Sequence, residues 1–335
     1  MERRTGFLVA ILACAMAMSW QGPGAGQASE RASLSPASSP YSKAGDISGT
    51  LTCVGSDTLN HLITAWAEGF GRHYPSVKVQ VEDKGSNAAV ASLLDGTAQL
   101  APMSRMMDER EIATFQAKYG YRPTPYAVAV DALVVYVHKD NPIEGLTMDQ
   151  VDSVFSKTPR YSYKNVTSWG QLDLPGDWVN APINLYGRNS SSGTHDFFKE
   201  HALRKDDFKA GVKEQADSQS VVQRIVEDRF GIGYSGIAYA TSGVRMLPLA
   251  NDEFSPYVEP SFENVKNRRY PLRRYLYLYV NQAPRKILPG DKPLSPLIRE
   301  FLRYVHSQDG QADVAKSGYV PVEDWIVTHA LGKIK

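Results

Sequence analysis

The chain has 335 residues, enough for about two domains of ordinary size. Hydrophobic residues make up 42%, charged residues 22%, and the formal net charge is +1. That balance suits a globular protein with a substantial core, and it excludes a disordered chain and a general basic field for nucleic acid or anionic lipid.

At the start, Arg3 and Arg4 precede an apolar run from Phe7 to about Trp20, followed by Gly, Ala and Ser. The run is shorter than the ~20 residues a membrane span needs, and the pattern is that of an export signal. A signal over residues 1–28 is expected, cut after the small residue Ala28. The competing reading is Ile11–Cys14, which resembles a bacterial lipoprotein box and would make a lipidated Cys14 the first mature residue. Residues 29–45 are rich in Gly, Ala, Ser and Pro and are expected to be a flexible linker. Removing 1–28 takes away Glu2, Arg3 and Arg4, so Lys plus Arg falls from 37 to 35 and Asp plus Glu from 36 to 35. A neutral mature protein must build any anion specificity locally. Cys53 then stands alone in an apolar strand and reads as a small buried hydrophobe, and the seven histidines show no metal-ligand spacing.

The folded part begins near Asp46. "GTLTCVGSD" predicts a strand and loop, and Leu59, Leu62, Ile63, Trp66 and Phe70 mark one face of a helix closed by Pro75. "VKVQVED" alternates as a strand, "GSNAAVASLLDG" predicts a helix ended by Gly96, and "AQLAPMS" a short strand. Asp108 and Glu111 stand at capping-box spacing before a helix ended by Gly120. Strand–helix alternation of this kind predicts a mainly parallel sheet with helices on its faces. Tyr126–His138 predicts a long apolar strand. Thr147 and Gln150 cap a further helix, followed by strand "APINLYG", helix "SQSVVQRIVED" and strands "GIGYSG" and "VRMLPL". Arg273–Asn281 predicts a second long strand, and Leu297, Ile298, Phe301, Leu302 and Val305 a closing helix. Two long strands crossing between halves suggest an α/β protein of two lobes: residues 46–135 and 276–335 as lobe I, and 136–275 as lobe II.

Three loops repeat one pattern, in which an apolar strand gives way to small hydroxyl or glycine residues and then to a helix. They are Gly55-Ser56-Asp57-Thr58, Gly85-Ser86-Asn87 and Ser192-Gly193-Thr194. A helix start carries free N–H groups and about half a positive charge, Ser and Thr add hydroxyl donors, and Gly lets backbone approach. Such an end is ready to hold an anion, and also to be simply capped. A fourth loop puts Ser104 and Arg105 at a strand's carboxyl end, where ligands sit in open α/β sheets. Arg188 lies four residues before Ser192 and can make two parallel bonds to an oxyanion. Three helix ends plus Arg188 amount to roughly +2.5, close to the charge of a dianion such as hydrogen phosphate.

"GSDTL", "GSNAA", "MSR" and "GRNSSSGTH" stand in the order and spacing of the phosphate-binding proteins of bacterial ABC phosphate transporters. "LTMDQVDSVFS" and "GIGYSGIAYA" also look like segments of that family's second lobe, so the resemblance covers about residues 50–325. It implies a two-lobe, type 2 periplasmic-binding fold with phosphate between the lobes and no cofactor. By the same resemblance Ser56, Thr58, Ser86, Ser104, Ser192, Gly193 and Thr194 would donate hydrogen bonds and Arg188 would be the charged clamp. Many relatives have an aspartate directly after the serine matching Ser104, where it accepts the phosphate proton; here Arg105 stands in its place, within the expected site. Asp57 is the replacement acceptor expected here, with a plain helix cap as its other reading, and Asp131 would tie the hinge or the arginine clamp. The expected protein is a periplasmic or extracellular monomer, free or lipid-anchored, whose lobes swing about Tyr126–His138 and Arg273–Asn281 and which docks to a membrane ABC permease and not to nucleic acid. The alternatives are a binding protein for sulfate or molybdate and a secreted phosphatase or adhesin. His195-Asp196 beside Ser190–Ser192 makes no triad, no Gly-x-Ser-x-Gly elbow occurs, and no Asp/His cluster suits a metal phosphatase, so no catalytic residue is expected.

Overall fold

The computed structural model describes residues 39–159, 165–283 and 294–334. The expected signal segment, Cys14 and residues 29–38 of the expected linker lie outside them. Residues 39–45 of that linker are not free of the body: Tyr41 packs its ring against Tyr304 and donates its hydroxyl to Glu300 at 2.9 Å.

The chain runs through strand β1 (Gly49–Gly55), a 3-10 turn at Asp57–Leu59, helix α1 (Asn60–His73), β2 (Val77–Asp83), α2 (Ser86–Asp95), β3 (Ala101–Met103) and α3 (Glu109–Tyr119). The long strand β4 (Thr124–His138) follows, then β5 (Leu146–Thr147), α4 (Met148–Phe155), β6 (Asn184–Arg188), α5 (Gly193–His201), β7 (Lys213–Gln215) and α6 (Ser218–Glu227). Next come β8 (Gly231–Gly236), β9 (Val244–Met246), β10 (Leu249–Ala250), α7 (Phe262–Lys266), the second long strand β11 (Arg273–Val280), and helices α8 (Pro296–Val305), α9 (Gln308–Lys316) and α10 (Asp324–Ile334).

Local chemistry sets most of these boundaries. In α1 the apolar face Leu62, Ile63, Trp66 and Phe70 is buried. Asp108 and Glu111 form the reciprocal cap of α3, and Gly120 ends it with φ of 80°. Thr147 and Gln150 do the same at the start of α4. The single closing helix expected after Leu294 is two helices. Ser307 breaks it, because its Oγ accepts the Gly310 N–H at 3.2 Å and starts α9.

The expected mainly parallel sheet is corrected. β1–β2, β5–β10, β6–β7 and β6–β8 pair in parallel, but β3–β11, β4–β11, β4–β8 and β4–β9 are antiparallel. The largest sheet has the order β3-β11-β4-β8-β6-β7, with β9 also on β4. Strand–helix units do build parallel pairs on either side. The two long strands run through the middle in opposite directions, so every pairing with them is antiparallel. β4 skips Val128 where it pairs with β11, a bulge whose neighbouring carbonyls are caught by His306 (to Ala127 O, 3.1 Å) and Gln311 (to Val128 O, 3.1 Å).

Where the long strands cross, Asp131 and Arg274 face each other in register, both buried, with Nη2 2.7 Å from Oδ2. Asp131 therefore ties the two crossing strands and not Arg188. The apolar interior falls into one large cluster around β4, β8 and α6, a second around α1, α8 and β11, and a small one between α2 and α3. Cys53 is fully buried in the second, with its thiol pushed up to about 12 by that burial, as suits an inert packing group.

Candidate anion site

Six hydroxyl residues from four chain segments meet in one buried cluster. Ser56 and Thr58 come from the turn after β1, Ser86 opens α2, Ser104 follows β3, and Ser192 and Thr194 lie at the start of α5. All are 0–1% exposed. Ser56 Oγ donates to Ser104 Oγ at 3.0 Å, Ser104 N–H donates to Ser86 Oγ at 3.2 Å, and the Thr58 and Thr194 hydroxyls are 3.1 Å apart. Ser192 caps α5 by accepting the Thr194 N–H at 3.2 Å. The segments approach so closely that a Cβ on Gly193 would lie 2.2 Å from Ser86 Oγ and 2.8 Å from Ser104 Oγ. Gly85, with φ of 85°, allows the same at Ser191, whose carbonyl oxygen a Cβ would approach to 2.3 Å. The starts of α2 and α5, and the turn leading to α1, thus bring hydroxyls and positive helix ends to one place.

Arg188, at the end of β6, is 2% exposed and meets Asp57 through two parallel bonds: Nη2 to Oδ1 at 2.7 Å and Nη1 to Oδ2 at 2.9 Å. Ser218, first residue of α6, completes the arrangement. Its N–H and Oγ both donate to Asp57 Oδ2, at 2.9 and 2.8 Å, and its Oγ accepts from Arg188 Nη1 at 2.9 Å. Ala216 O takes a further bond from Nη2, and Tyr239 donates to the Asp57 carbonyl at 2.9 Å. Arg188 Nε is different: it is buried and has no acceptor among the described protein atoms. A buried donor left so is unfavourable until an acceptor meets it.

Asp57 thus serves as the counter-charge of Arg188 and a cap for α6. Its charge cancels that of the guanidinium, which lowers the roughly +2.5 expected from sequence to about +1.5 from three helix ends. A cavity of about 630 Å³ opens beside this group, with Asp83 and Asp217 in its wall. Burial, followed by the nearby charges of Asp57 and Asp217, holds the Asp83 carboxyl above its usual range.

Ser218, Ala216 and Tyr239 were not expected from sequence. Ser218 carries the same signal as the recognised loops, since Asp217-Ser218 opens a predicted helix, but nothing local shows that Asp57, 161 residues away, would meet it.

Arg105 departs from its expected place. Its side chain turns to the outer rim and all five N–H groups have protein acceptors: Glu111 twice, at 2.6 and 2.8 Å, Met106 O at 2.8 Å, Asn87 Oδ1, and Asp196 Oδ2 at 2.9 Å. It has no donor left for a ligand. Ser104, one residue earlier, faces the hydroxyl cluster, and successive residues after a strand point to opposite sides. His195 lies in the first turn of α5 with Nδ1 3.0 Å from Asp196 Oδ1 and its ring against Phe208. Among the described residues no group of three or more His, Cys, Asp or Glu could hold a metal ion, and no helix is long and apolar enough to cross a membrane.

A central mixed sheet flanked by helices, with hydroxyls and an arginine gathered at helix starts, defines the type 2 periplasmic-binding-protein class. Residues 40–309 match the family described as the PBP superfamily domain, and the chain belongs to it. It is 48% identical over 319 residues to the phosphate-binding protein PstS of Pseudomonas aeruginosa, covering 95% of this chain and 97% of that one. It is 27% identical over 278 residues to the PstS of Staphylococcus epidermidis, covering 82% and 79%. In fold it resembles an ABC-type phosphate transport receptor from Vibrio cholerae, with a TM-score of 0.62 at 19% identity, over 81% of this chain and all of that one.

Proposed function

We propose that this protein is an extracytoplasmic solute-binding protein that captures inorganic phosphate and delivers it to a membrane ABC permease. It is not an enzyme: it holds the anion and does no chemistry on it. The observation that carries this reading is Arg188, buried with Nε unmet while its other nitrogens are locked on Asp57, Ser218 and Ala216, within a site walled by six buried hydroxyls. Hydroxyls suit phosphate because each can donate to an oxyanion oxygen or accept a phosphate proton. No carboxylate needs to stand free. The 48% identity to a phosphate-binding protein along nearly the whole chain supports the same ligand.

Capture proceeds by closure of lobe I (46–135 and 276–335) on lobe II (136–275) about β4 and β11. Phosphate then bridges Ser56, Thr58, Ser86 and Ser104 of one lobe to Arg188, Ser192, Gly193 and Thr194 of the other, and biases the closed state. A monomer suffices for this cycle. Outside the cytoplasm the mature chain is either free after a cut behind Ala28 or tethered through a lipid on Cys14. Intact-mass measurement of the mature protein distinguishes these.

Calorimetric titration at neutral pH tests the ligand. Phosphate is expected to bind tightly and sulfate weakly. Tight sulfate binding without a phosphate response would overturn the reading.

A further inference from the structure

Outside the hydroxyl cluster a second set of contacts spans the same seam, and no ligand-facing group takes part in it. Arg105 is fixed on its own side by Glu111, whose carboxylate accepts both terminal nitrogens and also closes the cap of α3 at Asp108 N–H (2.8 Å). Its remaining Nε reaches across to Asp196 Oδ2 at 2.9 Å. Asp196 lies in the first turn of α5, the helix whose start supplies Gly193 and Thr194 to the site. Asn87 joins the same rim. Its Oδ1 accepts from Arg105, its Nδ2 donates to Ser190 O at 2.9 Å, and its N–H donates to Ser191 O at 3.3 Å.

We propose that the Arg105–Asp196 pair, with Asn87 beside it, is a closure latch that sets how fast bound phosphate is released. The proposal rests on the phosphate-binding reading above. A guanidinium held by Glu111 is already oriented before closure, so little side-chain freedom is lost when Nε meets Asp196. Asp196 side chain is 33% exposed, so the pair is screened and modest in strength. An interaction made only in the closed state slows opening and leaves encounter with the anion nearly unchanged. Arg105 thus becomes a positioning residue whose work is done through α5.

The test compares wild type with Asp196→Ala and Asp196→Asn. Release is measured by rapid-filtration chase of radiolabelled phosphate, affinity by calorimetry, and the melting temperature without phosphate by calorimetric scan. For Asp196→Ala, release roughly three- to tenfold faster is expected, with the association rate unchanged. Asp196→Asn should fall between it and wild type. Raising salt should speed release from wild type and not from Asp196→Ala. An unchanged release rate in Asp196→Ala, or a loss of affinity carried by slower association, overturns the latch. A melting temperature lowered without phosphate together with salt-sensitive release in the variant also overturns it, as a merely structural pair. Wild type that binds no phosphate would instead overturn the underlying reading, so the two failures are distinguishable.

Discussion

Arg188 and Asp57 define each other. Neither would be tolerable alone in so buried a place, and each fixes the other's orientation through two parallel bonds. Arg188→Ala removes the Nε donor left for an anion; the loss of one charge-assisted bond of about 1.5–3 kcal/mol predicts that phosphate affinity falls by about 10- to 150-fold in a titration. It also strands the Asp57 carboxylate, so the melting temperature should drop. Asp57→Asn acts in the opposite electrical sense. It leaves the Arg188 charge uncompensated, and the more positive site should hold both dianions, hydrogen phosphate and sulfate, more tightly in a titration. Unchanged affinity for both anions would leave Asp57 as an anchor for α6 alone. At this scale the sequence was a good guide to residue type and a poor one to partnership. Ser56, Thr58, Ser86, Ser104, Ser192 and Thr194 could be singled out because a hydroxyl after a strand and before a helix is a local signal. The Asp57–Ser218 contact could not, since it depends on how two distant loops meet.

Among the elements, α2 and α5 approach by their first residues, and Gly193 is what permits it. Gly193→Ala would push a methyl group into Ser86 and Ser104. Overpacking of about 1–3 kcal/mol predicts an affinity loss between about five- and 150-fold, while the phosphate-free protein melts nearly as before because the clash arises across the seam. The crossing of β4 and β11 calls for a different outcome. Asp131→Ala strands Arg274 in the interior, where removing one partner of a buried pair costs about 3–5 kcal/mol, so the melting temperature should fall with or without phosphate. The long strands were legible as unbroken apolar or alternating runs, and the capped helices through Asp108/Glu111 and Thr147/Gln150. Their antiparallel pairing was not, because strand direction is decided by distant connections that leave no local pattern. The break at Ser307 was missed because neither glycine nor proline stands at it, and the serine marks it only through its own local bond to Gly310.

For the whole molecule, the proposed closure would make the protein smaller, and small-angle scattering should show a lower radius of gyration on adding phosphate; an unchanged radius would contradict the lobe motion. Acid stability offers a second check. Glu323, just before α10, accepts from Arg273 at 2.7 Å, from Arg268 at 3.1 Å and from Tyr275. Burial pushes its carboxyl up, but a backbone hydrogen bond and the two arginines outweigh that and hold it below its usual range. A carboxylate lowered in the folded state contributes its stability above its unfolded pKa of about 4.3 and loses it as pH falls through the lower folded value. Melting temperature should therefore hold from neutral pH to about 5 and decline below, less steeply in Glu323→Gln.

The mooring of Tyr41 has a mechanical consequence. Its N–H donates to Asp309 at 2.8 Å, its hydroxyl to Glu300 at 2.9 Å, and Ser39 O accepts from the Gln308 N–H at 2.9 Å. Any load arriving through the preceding chain, whether from a lipid or a fused surface, is therefore taken up by α8 and α9. Those helices pack on α1, and neither Arg188 nor the start of α5 lies along that path. In the proposed closure, a molecule held from this end is gripped by lobe I, and lobe II is left free to open and shut.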